Sequence, residues 1–292
     1  MGKVEKSTVH QVTMSRKFVQ VVARVVIYRK IEKKGALKQS MNSSQVSIES
    51  FWQEVSAILE RVRQTQMEAI RQAAAIFADA IERDGVIQAY GTGHSRAFTM
   101  EMAGRAGGLV PVNRIDLEAL ALYKHWPLER VVSPDIERDL EAGQAILSCY
   151  PIEPQDAFII SSNSGINQAI IEVALHVKQH GHPLVAVTSL ASSQQTASRH
   201  SSGHKLYDLA DVVIDSCIPY GDALLEMPNG GKACAGSSMS GALIAQMLTA
   251  ETIRLLLARG KDAPVYISSN VPGGIENNQR LVQHYGNRIR PV

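Results

Sequence analysis

Between Phe51 and Ile81 the apolar side chains Phe51, Val55, Ile58, Leu59, Val62, Met67, Ile70, Phe77 and Ile81 recur mostly at intervals of three and four, with charges between them. That spacing predicts a long amphipathic helix, or two in series. Beyond it, short runs rich in β-branched residues alternate with helical stretches. The runs are VIQAY (86–90), LVPV (109–112), AFIISS (157–162), PLVAVTS (183–189) and DVVIDS (211–216). The helical stretches cover Ser95 to Arg105, PDIERDLEAGQAIL (134–147), QAIIEVALHVKQHG (168–181) and SGALIAQMLTAETIRLLLARG (240–260). Pro134 suits a first helical turn, and Gly181 and Gly260 suit helix ends. The alternation predicts an α/β protein, a parallel sheet of about five strands with helices on both faces. No internal repeat is visible, and the last stretch, NQRLVQHYGNRIRPV, is too short for a domain.

Ligands of such sheets gather where the strands end. After the first run stands Gly91-Thr92-Gly93-His94-Ser95, and after AFIIS stands Ser162-Asn163-Ser164-Gly165-Ile166-Asn167. Glycine, hydroxyl and amide groups at strand-to-helix turns offer N–H and O–H donors to an anion such as a phosphate monoester. The plainer reading, that Ser162, Ser164 and Asn167 cap the helix from Gln168, explains one such turn but not two. Two nucleotide motifs fail. The third glycine of a dinucleotide fingerprint would fall on Arg96. A P-loop would need Ser or Thr where Ala233 follows Gly231-Lys232, and a glycine at Glu226.

Composition narrows the class. With 45% hydrophobic, 20% charged and 5% aromatic residues, the chain has the composition of an ordinary soluble α/β protein and is poor for a nucleic-acid stacking platform, so no nucleic-acid partner is expected. No uninterrupted apolar run approaches the roughly 18 residues of a membrane span. The cysteines Cys149, Cys217 and Cys234 form no CxxC, which predicts neither a disulfide framework nor a zinc site and fits a reducing cytoplasm. Charge is uneven: residues 1–40 hold ten basic and two acidic residues, a net of +8, leaving −6 for the rest of a chain whose total is +2. We read residues 1–40 as a poorly ordered basic leader, with Met41 a more ordinary start, and residues 41–292 as one domain with an N-terminal helix and a C-terminal tail.

YGTGHS, SSNSGINQ and the order of elements resemble the sugar isomerase (SIS) domain family over roughly Ser50 to Gly260. SRHSSGHKLYDLADVVID is similar to a subgroup related to phosphoheptose isomerases. The resemblance implies a flavodoxin-like sheet, a phosphorylated sugar as ligand and pairing into a homodimer or higher homo-oligomer. The family's phosphate loop reads Ser-x-Ser-Gly-x-Thr; Ser162, Asn163, Ser164 and Gly165 follow it and Asn167 replaces the threonine. Gly93, His94 and Ser95 match the first loop.

An aldose–ketose isomerase needs a carboxylate to move a proton between adjacent carbons and a group that opens the ring. Glu226 is the candidate base and His200 the ring opener, with Glu101 and Asp222 as further acids; Tyr220-Gly221-Asp222 and Glu226 resemble the acidic stretch of phosphoheptose isomerases. Glu101 can instead pair with Arg105 at i, i+4, and Glu226 can be an ordinary loop charge. Phosphoheptose isomerases use zinc, but Arg105 falls about where the first-helix glutamate should lie, and the pairs His176/His180 and His200/His204 lack companion ligands, so no metal or other cofactor is expected. The alternatives to an isomerase are a lyase or etherase of the same fold and a non-enzymatic phosphosugar sensor.

Overall fold

In the computed structural model, residues 46–290 are described. The basic leader lies outside them. The predicted N-terminal helix is two helices, α1 (Ile48–Thr65) and α2 (Met67–Glu82), broken at Gln66. Ser47 starts α1 by accepting the Ser50 N–H on its side chain. The sheet holds β1 (Ile87–Gly91), β2 (Val112–Ile115), β3 (Ala157–Ser161), β4 (Leu184–Thr188) and β5 (Val212–Asp215), all parallel, in the order β2-β1-β3-β4-β5. This is the expected flavodoxin-like α/β sheet.

Each strand alternates its side chains between two cores, as a sheet covered on both faces requires. Ile87, Ala89 and Ile159 join Phe77 of α2, Phe98 of α3 (Arg96–Met102) and Leu248 of α10 (Ser237–Ala258). On the other face Tyr90, Phe158 and Ile160 meet α4 (Ala119–Lys124), α6 (Leu140–Ile146) and α7 (Gln168–Gln179). Among the described residues α10 alone is long and apolar enough to cross a membrane by length and composition, and here its Ile244, Ala245 and Leu248 are buried in the first core.

Three local expectations are corrected. The strand assigned to 109–112 begins at Val112, because Leu109 bridges to Val265 and Pro111, without an N–H, offers only its carbonyl to Ile87. The helix assigned to 134–147 starts only at Leu140, where Asp139 accepts the Ala142 N–H; a 3₁₀ turn, Ile136–Arg138, precedes it, and a short α5 (Leu128–Val131) lies earlier. The loop after β4 contains α8 (Leu190–Gln195) and α9 (Leu206–Leu209), and the loop after β5 folds into an antiparallel hairpin, β6 (Ala223–Glu226) and β7 (Lys232–Ala235). The C-terminal stretch carries one more helix, α11 (Gly274–Tyr285).

Candidate functional site

The loops that follow β1, β3, β4 and β5, together with the segment holding Pro134 and Glu137, line an open cleft of about 670 Å³. The first loop turns tightly because Gly91 has no side chain: a Cβ there would come 2.8 Å from Ser95 O and 3.1 Å from Ser161 O. Gly93 adopts φ +53°, and the chain passes through a 3₁₀ turn directly into α3. His94 and Ser95 thus face the cleft, and Ser95 makes no side-chain bond to cap α3.

The second loop is folded by its own groups. Ser162 Oγ accepts the Gly165 N–H at 3.1 Å, Gly165 turns at φ +63°, and Ser193 Oγ donates to Ser164 O at 2.6 Å. Ser162 thus closes its own loop, while Asn167, at the N-cap of α7, makes no side-chain capping bond. Its Oδ1 accepts instead from Arg199 Nη1 at 2.5 Å, and Arg199 also reaches the loop through its N–H, 3.1 Å from Ile166 O. Gly93, His94, Ser95, Ser162, Asn163, Ser164, Asn167 and Asp222 line the cleft together.

The other predicted acids and the histidine lie elsewhere. Glu226, at the end of β6, is carried outward by the hairpin; its side chain is 59% exposed and pairs with Lys232 at 2.8 Å. Glu101 pairs with Arg105 and accepts from Gln246 at 2.6 Å, the i, i+4 alternative. His200 is buried, with Nε2 2.8 Å from Glu172 Oε1 and Nδ1 2.8 Å from Ser202 Oγ. That chain segment is not helical, so His200 and His204 do not share a helical face. Asp222 is in the cleft but accepts Ser237 N–H at 2.9 Å and Ser237 O–H at 2.8 Å, which ties the hairpin to α10. Among the described residues no group of three or more His, Cys, Asp and Glu gathers to hold a metal ion, so the residues present do not fit the zinc of a phosphoheptose isomerase. His176 and His180 stack at 4.0 Å, and His180 Nδ1 is engaged with His176 O.

Two charged residues in the cleft escaped sequence reasoning. Arg199 was visible only as part of a motif, and Glu137 sat inside a stretch read as one helix. Glu137 Oε2 accepts from Thr92 Oγ1 at 3.2 Å, and a Cβ on Gly93 would approach it to 3.1 Å. Its charge reaches below the cleft: burial first, then the Glu137 carboxylate, pushes the Tyr90 phenol up. A separate, larger cavity of about 840 Å³ lies between the ends of α2 and α10 and α11, and it contains none of the loop residues.

A parallel α/β sheet with its cleft at the carboxyl edge, floored by serine and glycine loops, defines the class. Residues 50–189 match the family model described as SIS domain. A UPF0309 protein of Listeria monocytogenes serovar 1/2a is 40% identical over 241 residues, covering 82% of this chain and 97% of that one. A UPF0309 protein of Geobacillus kaustophilus is 37% identical over 243 residues, covering 83% and 95%. Among solved structures, the fold is similar to a phosphoheptose isomerase from Neisseria gonorrhoeae, with TM-score 0.48 and 14% identity over 71% of this chain and 97% of that one. The chain belongs to the SIS domain family, in the group of the UPF0309 proteins.

Proposed function

We propose that the protein binds a phosphorylated sugar in this cleft and interconverts its aldose and ketose forms. The observation that carries the reading is one cleft joining a donor-rich, cationic end, Ser164, Asn167 and Arg199, to a carboxylate, Glu137, beside the first loop. About 670 Å³ is ample for a hexose or heptose phosphate. Ser164 O–H, backbone N–H groups of the second loop and the Arg199 guanidinium answer the phosphate oxygens. Glu137 takes the proton from the carbon next to the carbonyl, leaving an enediolate; the hydroxyl proton of that anion passes to the former carbonyl oxygen, and Glu137 returns its proton to the neighbouring carbon. His94 takes the ring-opening role, because His200 is engaged with Glu172 and Ser202.

Solvent deuterium exchange on a panel of sugar phosphates tests this. The expected result is label at the carbon next to the carbonyl, with Glu137→Gln slowing exchange by on the order of 10²-fold or more while phosphate affinity is kept. Binding without exchange by any panel member reduces the reading to a phosphosugar-binding protein. Exchange that survives Glu137→Gln removes Glu137 as the base.

The same reading includes self-association. Ile48 and Trp52, 85% and 71% exposed, stand one turn apart on α1, an apolar stripe of the kind a helix-to-helix interface covers. Light scattering at micromolar concentration is expected to give at least a dimer, and Trp52→Glu to give the monomer. A parent protein that is strictly monomeric overturns this part.

A further inference from the structure

Beneath the cleft lies a recess of about 30 Å³, bordered by Ser95, Asn163, Thr188, Ser216 and Ser237. His94, Ser95, Asn163 and Ser237 line both spaces, so the recess opens from the cleft floor. Two buried polar atoms there have no partner: Asn163 Oδ1 and Ser216 Oγ. Their residues are otherwise well bonded. Asn163 O accepts Ser189 N–H at 3.0 Å and Thr188 O–H at 3.3 Å. Ser216 is 5% exposed, its N–H donates to Thr188 O at 2.9 Å, and its carbonyl accepts Ser240 O–H at 2.6 Å. The fold thus holds both residues firmly and leaves one side-chain atom of each unpaired, a costly arrangement unless something completes it.

The chemistry of the two atoms selects what completes it. An amide oxygen only accepts, and a serine hydroxyl both donates and accepts. A hydroxyl group satisfies both at once, donating to Asn163 Oδ1 and accepting from Ser216 Oγ. A carbonyl, an ether or a missing oxygen leaves Asn163 Oδ1 unpaired. The recess, about 30 Å³, has room for an oxygen. We propose that the recess is a specificity subsite that reads one hydroxyl of the bound sugar, discriminating against its deoxy counterpart. The proposal rests on the phosphosugar reading of the cleft above.

The test is titration calorimetry with fructose 6-phosphate, glucose 6-phosphate and their monodeoxy analogues, with inorganic phosphate as internal reference. In the parent, loss of one particular hydroxyl is expected to weaken binding about tenfold, as for a site left with an unpaired buried acceptor. Asn163→Ala, which removes that acceptor, is expected to shrink that ratio to within about twofold by weakening the hydroxylated ligand. Ser216→Thr, which keeps the hydroxyl and adds a methyl to the recess, is expected to lower affinity for the hydroxylated ligand relative to inorganic phosphate. A flat deoxy scan in the parent, or discrimination that survives Asn163→Ala, overturns the subsite while leaving the phosphosugar reading intact. So does a ligand-bound crystal structure with a water between Asn163 Oδ1 and Ser216 Oγ. If neither phosphate nor any sugar phosphate binds, the cleft reading and the subsite fall together.

Discussion

The two edges of the sheet use polar residues in opposite ways. At the amino edge Asp156 is fully buried, and its carboxylate accepts from Val86 N–H at 2.8 Å, Gln88 Nε2 at 2.9 Å, Glu153 N–H at 3.1 Å and Arg288 Nη2 at 2.5 Å. Gln88 Oε1 accepts from Asn113 Nδ2 at 2.8 Å, and Asn113 Oδ1 accepts from Arg290 N–H at 3.1 Å. Arg290 lies 3.9 Å from the ring of Tyr123 and 4.2 Å from that of Tyr150. The carboxyl edge instead leaves Asn163 Oδ1 and Ser216 Oγ unpaired and turns Ser164 and Arg199 toward a cleft. Arg288 Nε is likewise buried without a partner, but the Asp156 carboxylate and the Gln88 and Asn113 amide oxygens are paired and brace the sheet, whereas the unpaired atoms of the carboxyl edge border a concave surface.

Substitutions at the two edges are therefore expected to register in different measurements. The largest effect belongs to the amino edge: Arg288→Ala leaves the Asp156 carboxylate buried without its cation and is expected to cost about 3–5 kcal/mol in urea unfolding. A loss below about 1 kcal/mol would mean that the tail does not brace the sheet. Next comes the cleft, where Ser164→Ala or Arg199→Met removes a charge-assisted bond and is expected to weaken sugar-phosphate binding by about 1.5–3 kcal/mol. Unfolding free energy should there stay within about 1 kcal/mol of the parent. Unchanged affinity in both variants would break the contrast between the edges. The smallest effect is Glu226→Gln, which removes an exposed pair with Lys232; stability and affinity are both expected to hold within about 0.5 kcal/mol, and a loss of turnover would restore Glu226 to the reaction, contributed across a subunit interface.

Much of this contrast is legible in the chain. Gly91, Gly93 and Gly165 mark the turns because each stands where a side chain or an ordinary φ is excluded, and Ser95, Ser162, Ser164 and Asn167 follow strands that read clearly from their apolar runs. The hairpin that displaces Glu226 was also signalled, by Asn229-Gly230 between Leu225 and Ala233, but its strands are too short to announce themselves by periodicity. Glu137 and Arg199 gave no such signal. Each is an ordinary charge in its own segment, and only the folding of two separate loops toward β1 and β3 makes them neighbours of the cleft.

The sequence by itself determined the parallel sheet, the order of its elements and the two donor-rich loops, because periodicity, glycine and helix-end chemistry are local properties. Only the tertiary structure decided which charged groups face the cleft. It moved Glu226 outward on a hairpin, spent Glu101 on Arg105 and His200 on Glu172, and drew the C-terminal Arg288 to Asp156, 132 positions away in the chain. A charge takes its role from the distance and burial of its partners, and those are set only once the chain has closed on itself.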